Sequence, residues 1–160
     1  MERETGMVNQ LVAFILGEQQ YALPLTTVKR VVRMVEVTPL PKAPEVVRGV
    51  IDLQGNIIPV MNMRKRFGLV EPETGLSDQL IVADAGERSV ALVVNSVIGV
   101  VERTTEEVTA AEKIVPGAQY VEGITRLEGG LLLIHDLDRF LSEKEERQLE
   151  GLLAQAAGTE

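Results

Sequence analysis

The sequence predicts an all-β protein with short helices, in which two small barrels of four or five strands pack side by side and one helix follows at the C-terminus. Three observations lead to this fold class. Short apolar runs flank tight turns that contain glycine, the same plan of runs and turns occurs twice, and an amphipathic helical pattern ends the chain.

The clearest hairpin lies in the segment Arg48–Leu69. An apolar run ends at Leu53, the turn is Gln54-Gly55-Asn56, and a second apolar run begins at Ile57. Two apolar runs around a turn containing glycine are typical of a β-hairpin. A short helical turn follows, which Asn62 is suited to cap and Gly68 to end.

This plan returns later in the chain. Gly49, Leu53 and Gly55 reappear 74 residues on, as Gly123, Leu127 and Gly129. In the same way GEQQYALPLTTV at 17–28 matches GERSVALVVNSV at 86–97 in five of twelve positions, at an offset of 69. The repeats predict one domain over 1–160 with subdomains at about 10–69 and 79–141, joined by a surface linker at 70–77.

The C-terminal segment predicts a helix over about 143–157. Ser142 and Glu145 form a capping box, with the serine as N-cap and the glutamate three residues later. Leu149, Leu152, Leu153 and Ala156 then form one apolar stripe. We expect the stripe to pack on a barrel, with docking to another chain as the alternative.

Composition excludes several classes of function. The 160 residues include no cysteine, so disulfides, thiolate metal sites and cysteine nucleophiles are absent. A net charge of −8 argues against nucleic acid as the main partner. Residues 1–70 carry 9 basic and 6 acidic side chains and the remainder 7 and 18, so the first part is the better candidate for an anionic partner. No apolar run could span a bilayer and no signal peptide is recognisable, which predicts a cytoplasmic protein without membrane insertion.

No motif predicts catalysis. The single histidine, His135, has no nucleophile motif near it and no convergent metal ligands in the sequence, so a structural or solvent-exposed position is favoured. The chain has no phosphate-binding glycine loop. Arg64-Lys65-Arg66 could clamp an anion, but a solvated helix face is favoured. We therefore expect neither an enzyme nor a cofactor or metal.

Two segments have apolar side chains on both faces. They are Val28–Val35, with four valines, and Val97–Val101, with three valines and an isoleucine. Because a strand alternates its faces, both faces of these segments must be covered. The sequence leaves open how these side chains divide between the junction of the barrels and a groove for a partner.

At this point the chain resembles a known family. GVIDLQGNIIPVMNMRKRFGL, preceded by TPLPKAPEVVRG and VAFILGEQQYALPL, is similar to the CheW family of chemotaxis coupling proteins, over about Leu11 to Leu141. The resemblance implies two five-stranded, SH3-like barrel subdomains around a hydrophobic junction. It also implies a non-catalytic adaptor without a cofactor, which links the cytoplasmic tips of chemoreceptors to the regulatory domain of the histidine kinase CheA. No receiver or kinase segment is recognisable, so we expect a stand-alone adaptor.

The resemblance also assigns two binding surfaces by position. The receptor-binding groove would use Val28, Arg30, Val31, Gln54, Leu80, Val97 and Val100. The kinase-binding surface would use Met34, Pro41, Pro44, Val47, Arg48 and Gly49.

The chain departs from the family pattern at four positions. The family commonly has Glu at Arg30, Arg at Gln54, and Asp at Asn62 and Asn95. A reversed charge at an interface costs several kcal/mol against an unchanged partner. We hypothesise a specialised adaptor whose receptor or kinase has different charges. The alternative is a CheW-like adaptor of a non-flagellar pathway with altered or lost receptor binding. A small β-barrel enzyme or ligand-binding protein is disfavoured by the missing chemistry.

Overall fold

Two β-sheets dominate the computed structural model, which describes residues 7–67, 78–114 and 120–158. The strands are β1 (Val8–Leu16), β2 (Gln19–Pro24), β3 (Val28–Arg33), β4 (Val47–Leu53), β5 (Asn56–Met61), β6 (Gln79–Ala85), β7 (Arg88–Val94), β8 (Ser96–Thr104), β9 (Thr109–Ala110), β10 (Val121–Leu127) and β11 (Gly130–His135). The helices are α1 (Met63–Phe67), α2 (Ala111–Ile114) and α3 (Glu143–Gly158). The predicted all-β class with short helices is confirmed. The predicted linker at 70–77 and the end of α1 at Gly68 lie outside the described residues.

Each sheet takes strands from both sequence repeats. Sheet I has the order β8-β1-β2-β11-β10-β9, and sheet II has the order β3-β6-β7-β5-β4. Sheet membership therefore does not follow the predicted boundaries at 10–69 and 79–141, because the first hairpin of each repeat lies in the sheet of the other repeat. Each exchanged hairpin joins its host through one parallel pair, β2 with β11 or β7 with β5, and one antiparallel pair, β1 with β8 or β6 with β3. Sheet I has six strands where five were expected, since it includes the two-residue β9.

A crossing segment connects the two edges of each sheet. In sheet II, Thr38 forms an isolated bridge with Val50 of β4, and each backbone N donates to the other residue's O at 2.8 Å. In sheet I, β9 pairs with β10 at Gly123 and Ile124. A Cβ at Gly49 would overlap the Thr38 carbonyl oxygen, and one at Gly123 would lie 2.7 Å from Val108 Cγ1. The repeat-related glycines Gly49 and Gly123 thus lie where these crossing segments pass close to the strands.

The described residues form three apolar clusters. Sheet I encloses one, including Leu11, Ala22 and Leu132, and sheet II encloses another, including Ile51 and Val93. The largest cluster lies between the sheets, and we call it the seam. Its members are Phe14, Leu16, Tyr21, Leu23, Val46, Val47, Met61, Met63, Ile81, Ala83, Val90, Leu92, Val94, Leu137, Phe140 and Leu149. The predicted apolar junction is therefore present.

Helix α3 packs on the seam through Leu149, which is fully buried, and Leu153. The predicted capping box is formed, because Ser142 N donates to Glu145 Oε1 at 2.9 Å and Glu145 N donates to Ser142 Oγ at 3.1 Å. Arg88 Nε also donates to Glu146 Oε1 at 2.8 Å. These contacts hold the helix against sheet II.

Candidate partner-binding surfaces

The apolar side chains of the two edge strands β3 and β8 divide three ways. Val28 and Val97 are half-buried against the seam. Val32 packs inside sheet II, and Val101 packs inside sheet I. The side chains that remain exposed are Val31 at 37%, Val35 at 38%, Ile98 at 46% and Val100 at 54%. The structure thus shows which of these side chains pack within the protein and which remain exposed.

The exposed residues Val31, Ile98 and Val100 form what we call the edge strip. Gln79 connects the two strands that carry it, because it stands opposite Arg33 in the register of β3 and β6, and its Oε1 accepts a hydrogen bond from Val97 N at 2.9 Å. Exposed apolar residues on neighbouring strand edges favour a protein partner over a small molecule.

Arg30 and Gln54 do not belong to the edge strip. Arg30 lines a pocket at one end of sheet II, together with Asn56 and Pro59 of β5. Gln54 is exposed in the turn that precedes Asn56, with φ of 55°. Asp52 Oδ1 accepts from Gly55 N at 2.9 Å and supports the turn. The predicted groove residues at the surface therefore fall into two groups, one at the edge strip and one with Arg30 and Gln54. β3 contributes to both groups, through Val31 and Arg30.

Leu80 does not reach the surface. Its side chain is fully buried in the cluster inside sheet II, opposite Val32 in the register. The position predicted as a groove residue supports β3 from inside the sheet, so a partner cannot contact it directly.

The six predicted kinase-facing residues are also divided by burial. Pro41 is exposed, and Arg48 and Met34 are half-buried. Pro44, Val47 and Gly49 are buried. Val47 belongs to the seam, and Gly49 is covered by the Thr38 crossing. Only the first three offer atoms to a partner, because the others are covered by the chain itself.

The basic triplet of α1 is not a solvated helix face, although Lys65 is exposed. Arg64 is 7% exposed, and its Nη2 donates to Asn95 Oδ1 at 2.7 Å. The same oxygen accepts from Gly17 N at 2.6 Å, and Asn95 N donates to Ile15 O at 2.9 Å. Asn95 therefore ties α1 and the β1–β2 turn to the point where the chain passes from sheet II to sheet I.

Arg66, the third member of the triplet, is held in place by several partners. Its Nη2 donates to Glu145 Oε1 at 2.5 Å, and its guanidinium lies 5.3 Å from the ring centroid of Tyr120 and 5.5 Å from that of Phe140. The sequence did not distinguish either arginine from an exposed one, since no local pattern reveals a partner 31 or 79 residues away.

His135 has a structural position. Its side chain is fully buried, with its ring 5.8 Å from that of Phe140, and burial lowers its pKa from 6.5 to about 4. Within the described ranges, no three histidine or carboxylate side chains are grouped as metal ligands. None of the helices described here is long and apolar enough to cross a membrane.

Comparisons with known proteins agree on one family. Residues 10–145 match the model of the CheW-like domain. The chain is 30% identical to the chemotaxis protein CheW of Treponema pallidum (strain Nichols), over 89% of this chain and 88% of that protein. It is 28% identical to the chemotaxis protein CheW of Thermotoga maritima, over 84% and 88%.

A solved structure extends the similarity to the fold. The crystal structure of the scaffolding protein TtCheW from Thermoanaerobacter tengcongensis matches with a TM-score of 0.77 and 27% identity, over 87% of this chain and 96% of that one. A family model spanning most of the chain and a relative of this identity and coverage lead to the same conclusion: the chain belongs to the CheW-like family.

Proposed function

We propose that this protein is a non-catalytic scaffold of chemotaxis signalling, which couples the cytoplasmic tips of chemoreceptors to the regulatory domain of the histidine kinase CheA. It acts in the cytoplasm, on receptor arrays, through protein contacts alone. The observation that carries the proposal is the edge strip, because Val31, Ile98 and Val100 are exposed on two edge strands that Gln79 connects.

The edge strip is the receptor-binding part of the scaffold. Receptor tips are helical, and an amphipathic helix binds by laying its apolar side chains on such a surface. Val28 and Val97 brace the strip from the seam, so the strip is rigid. A rigid apolar surface loses little conformational entropy when a partner binds.

The kinase-binding part is the surface around the Thr38 crossing, where Pro41 is exposed and Arg48 is half-buried. Proline has few conformations to lose on binding, and arginine is enriched at protein interfaces. The crossing pairs with β4, which stands at the opposite end of the strand order of sheet II from β3, so the two proposed surfaces use different strands.

Co-sedimentation of the purified protein with receptor-tip fragments and CheA tests this function. Val100→Glu is expected to remove receptor binding and keep kinase binding, and Arg48→Glu is expected to do the reverse. Leu131→Glu is the matched control, because Leu131 is 49% exposed but lies on β11, away from the edge strip. Equal binding by all three variants and the unchanged protein would contradict the proposal.

One observation favours a divergent adaptor as the second candidate. Arg30 is exposed at the position where the family commonly has glutamate. In that case the protein binds CheA and a receptor of unusual charge, or serves a pathway other than flagellar motility. Failure to bind standard receptor tips, with kinase binding retained, would favour this candidate.

A further inference from the structure

The pocket at the end of sheet II has cationic and apolar walls. Lys29, Arg30 and Arg88 supply its positive charges, and Ile57, Pro59 and Leu153 supply apolar surface. Five elements meet here, namely β3, β5, β6, β7 and α3, so the pocket is formed by the fold and not by one flexible loop.

Two of the three cations are already neutralised. Lys29 Nζ lies 3.4 Å from Asp84 Oδ1 and donates to Ser89 Oγ at 2.7 Å. Arg88 Nε donates to Glu146 Oε1 at 2.8 Å. For Arg30, the described part of the chain has no carboxylate oxygen within 4.0 Å of the guanidinium. The pocket therefore has one uncompensated positive charge.

One free guanidinium fits one carboxylate. Arginine binds a carboxylate through two parallel N–H···O bonds, which is a strong and directional arrangement. A phosphate dianion would bring a second negative charge close to Asp84 and Glu146, and a nucleic acid would need several free cations. The charge balance thus selects a single acidic side chain.

The apolar part of the pocket indicates which kind of side chain accompanies that carboxylate. Ile57 is 55% exposed, and Pro59 is buried next to it in the same strand. Burying Ile57 would remove a large apolar side chain from water. The matching partner therefore has an aliphatic side chain one helical turn from its acidic residue, since residues three or four apart share a helix face.

We propose that this pocket receives a glutamate or aspartate side chain of the receptor tip, with a neighbouring aliphatic side chain packed on Ile57. This inference rests on the proposed function, because it assigns the chemistry of the receptor that the edge strip binds. β3 belongs to both surfaces, with Arg30 and Val31 on its opposite faces. Arg30 and Val31 are consecutive residues of β3, so the pocket and the edge strip meet at this strand.

Binding measurements with charge-reversed variants test the proposal. The probes are receptor-tip fragments from the same organism, and two helical peptides, one of leucine, alanine and glutamate and one with glutamine in place of each glutamate. Arg30→Glu is compared with Arg33→Glu, since Arg33 is also exposed on β3 but does not line the pocket. Arg30→Glu is expected to weaken tip binding by about tenfold or more, and Arg33→Glu by clearly less.

A reversed charge on the partner completes the test. Replacing the matching acidic residue of the tip by arginine is expected to restore binding to Arg30→Glu and to weaken binding to the unchanged protein. Equal losses for the two variants, or no loss for Arg30→Glu, would overturn the pocket while leaving the proposed function intact.

Absence of binding between the unchanged protein and every tip would instead refute receptor coupling. The peptide pair then decides the chemistry of the pocket by itself. A preference for the glutamate peptide that Arg30→Glu abolishes supports an acid-binding pocket, and the lack of such a preference rejects it.

Discussion

Replacing Gly49 by alanine perturbs the crossing that connects the edges of sheet II. The new Cβ would overlap the Thr38 carbonyl oxygen and lie 2.8 Å from the Thr38 carbonyl carbon. Backbone atoms cannot rotate away, so Thr38 must move and its two 2.8 Å hydrogen bonds with Val50 are lost. We expect about 1 kcal/mol for each bond and about 1–3 kcal/mol for the overpacking, or about 3–5 kcal/mol in total.

The repeat supplies the matched comparison. In Gly123→Ala the new Cβ would lie 2.7 Å from Val108 Cγ1, which belongs to a side chain, and 3.5 Å from the nearest backbone oxygen, that of Thr109. A valine side chain can shift where a carbonyl cannot, so the cost falls to about 1–2 kcal/mol. Gly151→Ala in α3 meets no atom within 4 Å, and is expected to stabilise the protein by about 0.5–1 kcal/mol.

Urea denaturation followed by circular dichroism gives the three changes in unfolding free energy. The slope with denaturant should stay the same in all variants, because the same surface is exposed on unfolding. From the most to the least stable, the expected order is Gly151→Ala, the unchanged protein, Gly123→Ala and Gly49→Ala. A cost for Gly49→Ala no larger than that for Gly123→Ala would refute the claim that the Thr38 backbone limits this position.

Three further predictions concern buried polar groups and the cap of α3. Burial lowers the pKa of His135 to about 4, so between pH 6.5 and 4 this histidine takes up a proton in the unfolded chain but not in the folded protein. The unfolding free energy should therefore fall by about 3 kcal/mol as the pH drops through this range. His135→Met, which copies the repeat-related and equally buried Met61, should remove that part of the pH dependence in denaturation curves, and an unchanged dependence would contradict it. Asn95→Ala should lower the unfolding free energy by about 2–3 kcal/mol, because it leaves the buried guanidinium of Arg64 without its acceptor. The same substitution should lower it much less when Arg64 is replaced by methionine. A double-mutant cycle that shows no coupling between the two positions would exclude this interaction. Ser142→Ala should lower the unfolding free energy by about 1 kcal/mol, measured in the same way, and no loss would show that the cap contributes nothing.

Local features of the fold were predictable because their causes are local. The Gln54-Gly55 turn, the Asn62 cap, whose Oδ1 accepts from Lys65 N at 3.0 Å, and the Ser142 cap all depend on residues within four positions of each other. Hairpins and an apolar seam also follow directly from the pattern of apolar residues.

The exchange of hairpins between the sheets was not predictable from the same pattern. The segments 17–28 and 86–97 match in their glycine and apolar positions, so either hairpin fits either sheet equally well by sequence. What selects the host is long-range packing, such as the parallel pairing of Met61 with Leu92.

The division of the valines could not be predicted from the sequence for a different reason. β3 has a bulge between Val28 and Arg30, and β8 has one between Val97 and Gly99, opposite Phe14 and Ala13 of β1. A bulge shifts the register by one residue and so reverses which side chains face the core. Val28 therefore faces the seam, while Val32 lies inside sheet II and Val31 remains exposed.

The exchanged hairpins also explain why the edge strip, which we propose as the receptor-binding surface, lies beside the seam. The chain passes from sheet I to sheet II just before β3 and returns just before β8, so both edge strands begin where the sheets meet. Val28 and Val97 are the first apolar residues after these two passages, and both are fixed against the seam. The spacing of the edge strip is consequently set by the packing between the sheets, and a change in that packing must move Val31 relative to Val100. For a protein whose proposed role is to hold a receptor and a kinase at a constant geometry, the packing of the seam therefore sets the geometry of the proposed receptor-binding surface.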